Sequence, residues 1–259
     1  MLTREELFRQ AELRSLPLGK EKGILREYLH YLILDNLNLL TDKLVFTGGT
    51  ALRLIYDFSR FSFDLDFDAT KLTLEGFQKI LERLTAQIAK LGFGVRLGRS
   101  KRRENILTAE LNFPGIFSRY GIRTPEEKLM VRIEVLNVSQ ARLKTEVKLA
   151  QNFDGRSIII TILRQDLLAA EKFAAFFERG RERDYYDAFF LIFNQFPVDL
   201  NLLNKLLSLK IQFKDYLELK NKVKEKILKA DLSKICQKLE PFLLDPRQLK
   251  ILANPESYL

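Results

Sequence analysis

The chain has 259 residues, 46% hydrophobic and 30% charged, enough apolar side chain for a sizeable core, so a disordered tail or a collagen-like chain is excluded. Forty-three Lys and Arg against 34 Asp and Glu leave a formal charge of +9, which biases encounters toward polyanions such as nucleic acids and nucleotides. A single cysteine, Cys236, cannot form an internal disulfide or supply a zinc cluster, and a single histidine, His30, leaves no partner set for a Ser-His-Asp or Cys-His mechanism.

The start is charged where a signal peptide carries its apolar core, and Thr3 with Glu6 predicts a helix capping box. Helical spacing continues through Ile24, Tyr28, Tyr31 and Leu32, with Pro17 and Gly19 separating a short first helix from a longer second one that holds His30 as a packed or solvated residue. The apolar stretch from Tyr28 to Leu40 is broken by His30, Asp35, Asn36 and Asn38, short of the roughly 20 residues that cross a bilayer. The expectation is a cytoplasmic protein with no membrane contact.

Leu44-Val45-Phe46 then predicts a strand, Gly48-Gly49 a tight turn, and Thr50 to Asp57 a helix. From Phe61 to Asp68 apolar and polar residues alternate strictly, which predicts a strand with Asp68 as a surface residue at its end. A helix follows over Leu74 to Leu91. Phe93 to Leu97 and Ile106 to Phe113 form a hairpin joined across Gly98 to Arg103. Met130 to Val138 and Ser157 to Leu163 are further strands, linked by a polar connection through Gly155. Beyond Asp166 no strand is expected, and residues 201–259, with eleven Lys and one Arg against seven acidic residues, read as basic helices. The boundary divides a domain over 1–163 from a helical C-terminal domain over 164–259, with the cleft between them the natural place for a ligand.

Carboxylates carry the readable chemistry. Asp64 and Asp66, two apart in a strand, project from one face about 7 Å apart along the chain. Two such carboxylates suit Mg²⁺, which retains waters and takes phosphate oxygens as further ligands, and Glu134, between Ile133 and Val135, faces away from the core and completes a triad. A solvated acidic face on an edge strand is the alternative. Gly48, Gly49 and Thr50, between strand and helix, offer backbone N–H groups and close approach to a phosphate. Asp184 and Asp187, three apart on a helix, can orient Lys172 or Arg179. Arg96, Arg99, Lys101, Arg102 and Arg103 concentrate charge on the hairpin as a contact for an RNA backbone, and Lys220, Lys222, Lys224 and Lys226 form a second cluster read as a solvated face.

In order, Phe46-Thr47-Gly48-Gly49-Thr50-Ala51-Leu52, Arg60-Phe61-Ser62-Phe63-Asp64-Leu65-Asp66-Phe67, the later apolar-Glu134-apolar strand, Asp166 to Lys172, and Arg179 with Arg183-Asp184-Tyr185-Tyr186-Asp187 resemble the polymerase-β-like nucleotidyltransferase superfamily. More narrowly, they resemble the AbiEii/MenT family of nucleotidyltransferase toxins, over about residues 20–195. The resemblance implies an α+β fold: a mixed-sheet nucleotidyltransferase domain with flanking helices, and a helical domain closing the nucleotide cleft. It implies transfer of NMP from an NTP to an acceptor, a tRNA 3′ end, by a toxin whose antitoxin is encoded nearby. Asp64, Asp66 and Glu134 would hold two Mg²⁺ ions, or Mn²⁺ in their place; Lys172 and Asp184 would act in catalysis. Gly48, Gly49, Thr50, Arg60, Ser62, Lys172, Arg179 and Asp187 would bind the nucleotide. Two further readings stand beside it: an inactive nucleic-acid-binding or regulatory module on the same fold, and nucleotidyl transfer to a protein hydroxyl.

Overall fold

A computed structural model of the chain describes residues 1–207 and 211–258. They divide into two compact units, Met1–Asp57 with Phe61–Leu163, and Phe58–Arg60 with Arg164–Leu259. The three residues Phe58–Arg60 thus leave the domain in which the sequence reading places them.

The first unit opens with α1 (Arg4–Leu13) and α2 (Glu21–Asn38). At the start of α1 the Glu6 N–H donates to Thr3 Oγ1 at 3.2 Å and the Thr3 N–H to Glu6 Oε2 at 2.8 Å, the expected capping box. Then follow β1 (Val45–Thr47), α3 (Gly48–Tyr56), β2 (Leu65–Ala69), α4 (Leu74–Lys90), β3 (Arg96–Leu97), β4 (Lys101–Arg103), β5 (Ile106–Pro114), α5 (Ile116–Arg119), β6 (Lys128–Asn137), β7 (Thr145–Gln151) and β8 (Ser157–Leu163). The strands make one mixed sheet in the order β3-β5-β6-β2-β1-β8-β7, with β4 also on β5. β2 runs parallel to β6 and antiparallel to β1, and β1 runs parallel to β8.

One face of this sheet is core. Leu107 and Leu111 of β5, Val131, Ile133 and Val135 of β6, and Leu65 of β2 are fully enclosed, as are Phe77, Leu81, Leu84 and Ile88 of α4, each contributing roughly 1.5–3 kcal/mol by leaving water. Because side chains alternate along a strand, the residues between them turn to the other face, which carries the polar groups. Arg53 of α3 is locked to Glu27 of α2 by bonds of 2.8 and 3.1 Å, a buried fork that fixes α3 against α2.

Three strand expectations change. Pairing begins at Leu65, not Phe61, because β6 meets β2 from Ile133↔Leu65 onward and β1 ends at Thr47↔Asp66, leaving Phe61–Asp64 no ladder. Lys101–Arg103 pair with Thr108, Leu107 and Ile106, so the hairpin tip lies at Glu104-Asn105. β7 fills the supposed polar connection and pairs with β8 throughout. Asp68, expected at the surface, is 1% exposed.

The second unit contains α6 (Gln165–Glu178), α7 (Glu182–Phe193), α8 (Leu200–Leu206), α9 (Tyr216–Leu228), α10 (Leu232–Leu239) and α11 (Arg247–Ala253). Phe173, Phe176, Phe189, Leu203, Leu219, Val223, Ile227 and Leu239 are among its enclosed side chains. Among its described residues the one β pairing is an isolated antiparallel bridge between Arg60 and Leu243. Among the described residues of both units, no helix is long and apolar enough to cross a membrane.

Candidate active site

Asp66 of β2 and Glu134 of β6 are register partners on adjacent parallel strands, so both carboxylates leave the same face of the sheet. Thr47, the last residue of β1, is the partner of Asp66 on its other side, and the chain there turns directly into α3 through Gly48. Gly48 has φ +79°, a conformation that an L side chain adopts only under strain. A Cβ at this position would stand 2.6 Å from Asp66 Cβ and 2.7 Å from its Cγ, so the Asp66 side chain occupies the space that glycine leaves open. Gly49 and Thr50 are buried in the first turn of α3, where backbone N–H groups and the helix dipole favour an anion.

Asp64 lies one residue ahead of β2, and its approach is fixed from three sides. Its own carbonyl accepts a hydrogen bond from the Thr50 hydroxyl. The preceding carbonyl, of Phe63, accepts one from His30 Nε2 at 3.2 Å, and the Arg26 guanidinium stands 4.7 Å from the Phe63 ring centre while donating to the Met130 carbonyl at 2.6 Å. His30 is 1% exposed. Burial first, and the Arg26 charge second, push its pKa down to about 3 against the opposing bond to Phe63, so it is a neutral donor at any ordinary pH. Burial also holds Arg26 below the usual arginine range, with the Asp64 charge acting against that shift. Phe61 closes onto Gly23, where a Cβ would fall 2.6 Å from the ring. Ser62, between these anchors, is half-buried.

Among the described residues no three His, Cys, Asp or Glu side chains are drawn together as a closed ion cage. The donor set is hard carboxylate oxygen on one open face, with Asp66 and Glu134 side by side across two strands. That chemistry fits Mg²⁺, which is typically held by one or two carboxylates and completes its shell with water and substrate phosphates.

In the second unit, Arg60 and Asp187 form a two-pronged pair, Nε to Oδ1 and Nη2 to Oδ2, both at 2.7 Å, with side chains 3% and 2% exposed. Lys172 Nζ stands 3.4 Å from the same Asp187 carboxylate. Burial raises the Asp187 pKa, but Arg60 and Lys172 outweigh it and hold the group below the usual carboxylate range. Asp184 is taken by another partner: Arg179 grips it at 2.8 and 2.8 Å, and the Arg181 N–H donates to it at 2.9 Å. The two aspartates expected to share Lys172 and Arg179 therefore divide them, and Arg60 enters as a cation that sequence spacing alone does not connect to Asp187.

The hairpin cations also divide. Lys101 and Arg103 pair with Thr108 and Ile106, and Arg96 with Asn112, all on the polar face, whereas Arg102 pairs with Leu107 on the core side and its Nε donates to the Glu104 carbonyl at 3.0 Å. Arg99 lies between β3 and β4 and is exposed. In the lysine-rich helix, Lys222 pairs with Glu225 at 2.7 Å, and Lys226 donates to the Phe176 and Phe177 carbonyls at 2.6 and 3.0 Å, satisfying the end of α6.

Sequence reading did not find Arg26 and His30 as supports of Asp64. The available signal was their four-residue spacing, which puts the two side chains one turn apart on one face of the helix. No curated protein is matched by the sequence. Among solved structures the fold is similar to MenT4, a nucleotidyltransferase toxin from Mycobacterium tuberculosis H37Rv, with TM-score 0.55 and 21% identity over 80% of this chain and 69% of that one. It is also similar to JHP933 from Helicobacter pylori, with TM-score 0.54 and 19% identity over 92% of each chain. At these identities the likeness carries the fold: a central mixed sheet with many helices. The family described as nucleotidyl transferase AbiEii toxin, of type IV toxin–antitoxin systems, matches residues 32–254. With the match spanning nearly the whole chain and the expected mixed sheet in place, this protein belongs to the AbiEii nucleotidyl transferase toxin family.

Proposed function

We propose that this nucleotidyltransferase moves a nucleoside monophosphate from an NTP onto the 3′-terminal hydroxyl of an RNA, a tRNA in particular, and that Asp64, Asp66 and Glu134 are its metal-binding carboxylates. The observation that carries the reading is the pairing of Asp66 with Glu134 directly beside the Gly48 turn. In the reaction the acceptor hydroxyl gives its proton to solvent, its oxygen bonds to the α-phosphorus as the bond from that phosphorus to the oxygen bridging the α- and β-phosphates breaks, and pyrophosphate leaves. Mg²⁺, when bound, would supply charge neutralisation of the pyrophosphate and a lowered pKa for the attacking hydroxyl.

The chain's own residues set the geometry. Glycine at 48 leaves room for the Asp66 side chain against the start of α3, and the first-turn N–H groups of that helix are suited to receive a phosphate beside it. Thr50 and His30 fix the peptide units on either side of Asp64, so its carboxylate is held without a closed cage. Lys172 is the cation assigned to the nucleotide phosphates; Arg60, Arg179, Asp184 and Asp187 act as positioning residues, since each is already engaged in a fork. The site turns over in a cytoplasmic setting, and the family implies a cognate antitoxin.

The test is incubation of purified protein with Mg²⁺, total tRNA and each α-³²P-labelled NTP in turn, alongside Asp66→Asn. Label entering tRNA only with Asp66 intact is the expected result, and it names the nucleotide. Label entering protein would replace the acceptor. A folded protein that labels nothing yet binds RNA would sink the reaction and leave a binding module.

A further inference from the structure

A hollow of about 330 Å³ opens on the polar face of the sheet, lined by Arg99, Lys101, Thr108, Ala109, Glu110 and Arg132. Its floor is the β5–β6 pairing, where Arg132 and Glu110 are register partners, and its rim is the β3–β4 edge. At roughly 30 Å³ per water it has room for about ten waters, more than a lone phosphate needs. Three cations against one carboxylate make it electropositive. Among the described residues no ion pair or side-chain hydrogen bond engages Arg99, Lys101 or Arg132, and all three are exposed.

The placement of this hollow matters more than its charge. One register row crosses five strands: Lys101, Thr108, Glu134, Asp66 and Thr47. Arg132 lies two residues before Glu134 on the same strand face, about 7 Å away along β6, and Lys101 stands two strands across, about 10 Å away. The carboxylate pair is therefore flanked on its β1 side by the Gly48-Gly49 turn and on its β5 side by the cation hollow. In-line transfer needs the triphosphate and the attacking strand to reach the carboxylates from different directions. With the glycine turn suited to the donor phosphates, the opposite flank is left to the acceptor.

We infer that the hollow binds the sugar-phosphate backbone of the acceptor RNA beside its reacting end, with Arg132 and Lys101 as the phosphate contacts and Arg99 at the rim. This rests on the transferase reading above. Arg132 is the residue that hairpin charge alone does not reveal, since it comes from the central strand that also carries Glu134.

The experiment is fluorescence anisotropy of a 5′-labelled single-stranded RNA against the full chain without Mg²⁺ or NTP, titrated with salt. Each phosphate contact contributes about 0.7 to the slope of log affinity against log salt for a single strand. Arg132→Gln with Lys101→Gln is expected to lower the slope by about 1.4 and to weaken binding at low salt at least tenfold, whereas Arg83→Gln with Lys90→Gln, on α4, leaves the slope near the wild-type value. The inference is overturned if the α4 pair lowers the slope equally, if the wild type binds no RNA, or if polyglutamate competes as well as RNA, which would point to an acidic protein partner. Anisotropy requires no turnover: RNA binding with the expected slopes but no label transfer would keep the hollow and remove the reaction.

Discussion

Gly48 and Asp66 compete for one volume. The Asp66 side chain sits where a Cβ at 48 would project, 2.6 Å from Asp66 Cβ, and the backbone of Gly48 is in the left-handed region at φ +79°. Gly48→Ala therefore carries two costs, strain and displacement of the aspartate. Gly155, at φ +83° with nothing within 4 Å of its missing Cβ, isolates the first. Gly155→Ala is expected to lose about 1–2 kcal/mol in urea titration and to keep its transfer rate. Gly48→Ala is expected to lose more and to fall at least a hundredfold in transfer; equal losses in both proteins would show that the Asp66 contact is inconsequential.

The Arg60–Asp187–Lys172 trio separates stability from activity. Removing Asp187 or Arg60 leaves an uncompensated buried charge, so Asp187→Ala and Arg60→Ala are each expected to cost about 3–5 kcal/mol. Arg60→Lys keeps the charge but not the planar fork, and it should recover only part of that loss.

Lys172→Ala is a different case, because the Arg60 fork still satisfies Asp187. A stability loss of about 1–2 kcal/mol is expected, together with a fall in kcat/KM for NTP of about a hundredfold or more. Unfolding curves and initial rates on the same preparations decide it; a variant with full turnover would remove Lys172 from the phosphate site.

His30 sets a pH dependence whose sign follows from its depressed pKa. The folded protein refuses a proton that the unfolded chain accepts below its ordinary 6.5, so stability present above that value is lost as pH falls toward about 3. The slope reaches about 1.4 kcal/mol per pH unit. His30→Gln retains an N–H donor for the Phe63 carbonyl and cannot be protonated. Between pH 7.5 and 5 it should lose less stability than the wild type, and a parallel decline in both would assign the acid sensitivity elsewhere.

Local signals in the chain were reliable where a few neighbouring residues decide the structure. The Thr3–Glu6 box and the Ser157–Leu163 strand are of this kind, whereas Gly48-Gly49, expected as a turn ahead of the helix, already belong to α3. β7 was hidden because its alternation runs the wrong way: Val147 and Leu149 point outward, 64% and 70% exposed, with Ile159 opposite Leu149 at 63%. Its partner strand, not its own hydrophobicity, makes it a strand. The candidate site divides along the same line. Asp66 and Glu134 could be read from alternation in each strand, but not their register, which joins residues 68 positions apart. The Arg60–Asp187 pair spans 127 residues, and no spacing rule reaches that far.

The three residues Phe58–Arg60 have a consequence for anyone who would cut this protein. They lie in the sequence between α3 and β2, yet they belong with the helices after residue 164. The chain therefore passes between the two units three times, not once. A fragment ending at Leu163 would keep Arg60 and lose Asp187; its complement would keep Asp187 with Lys172 but without the guanidinium fork. Each half would carry a severed ion pair. The backbone stitches the two units together, so domain exchange between relatives would have to carry the short Phe58–Arg60 segment along with the C-terminal helices.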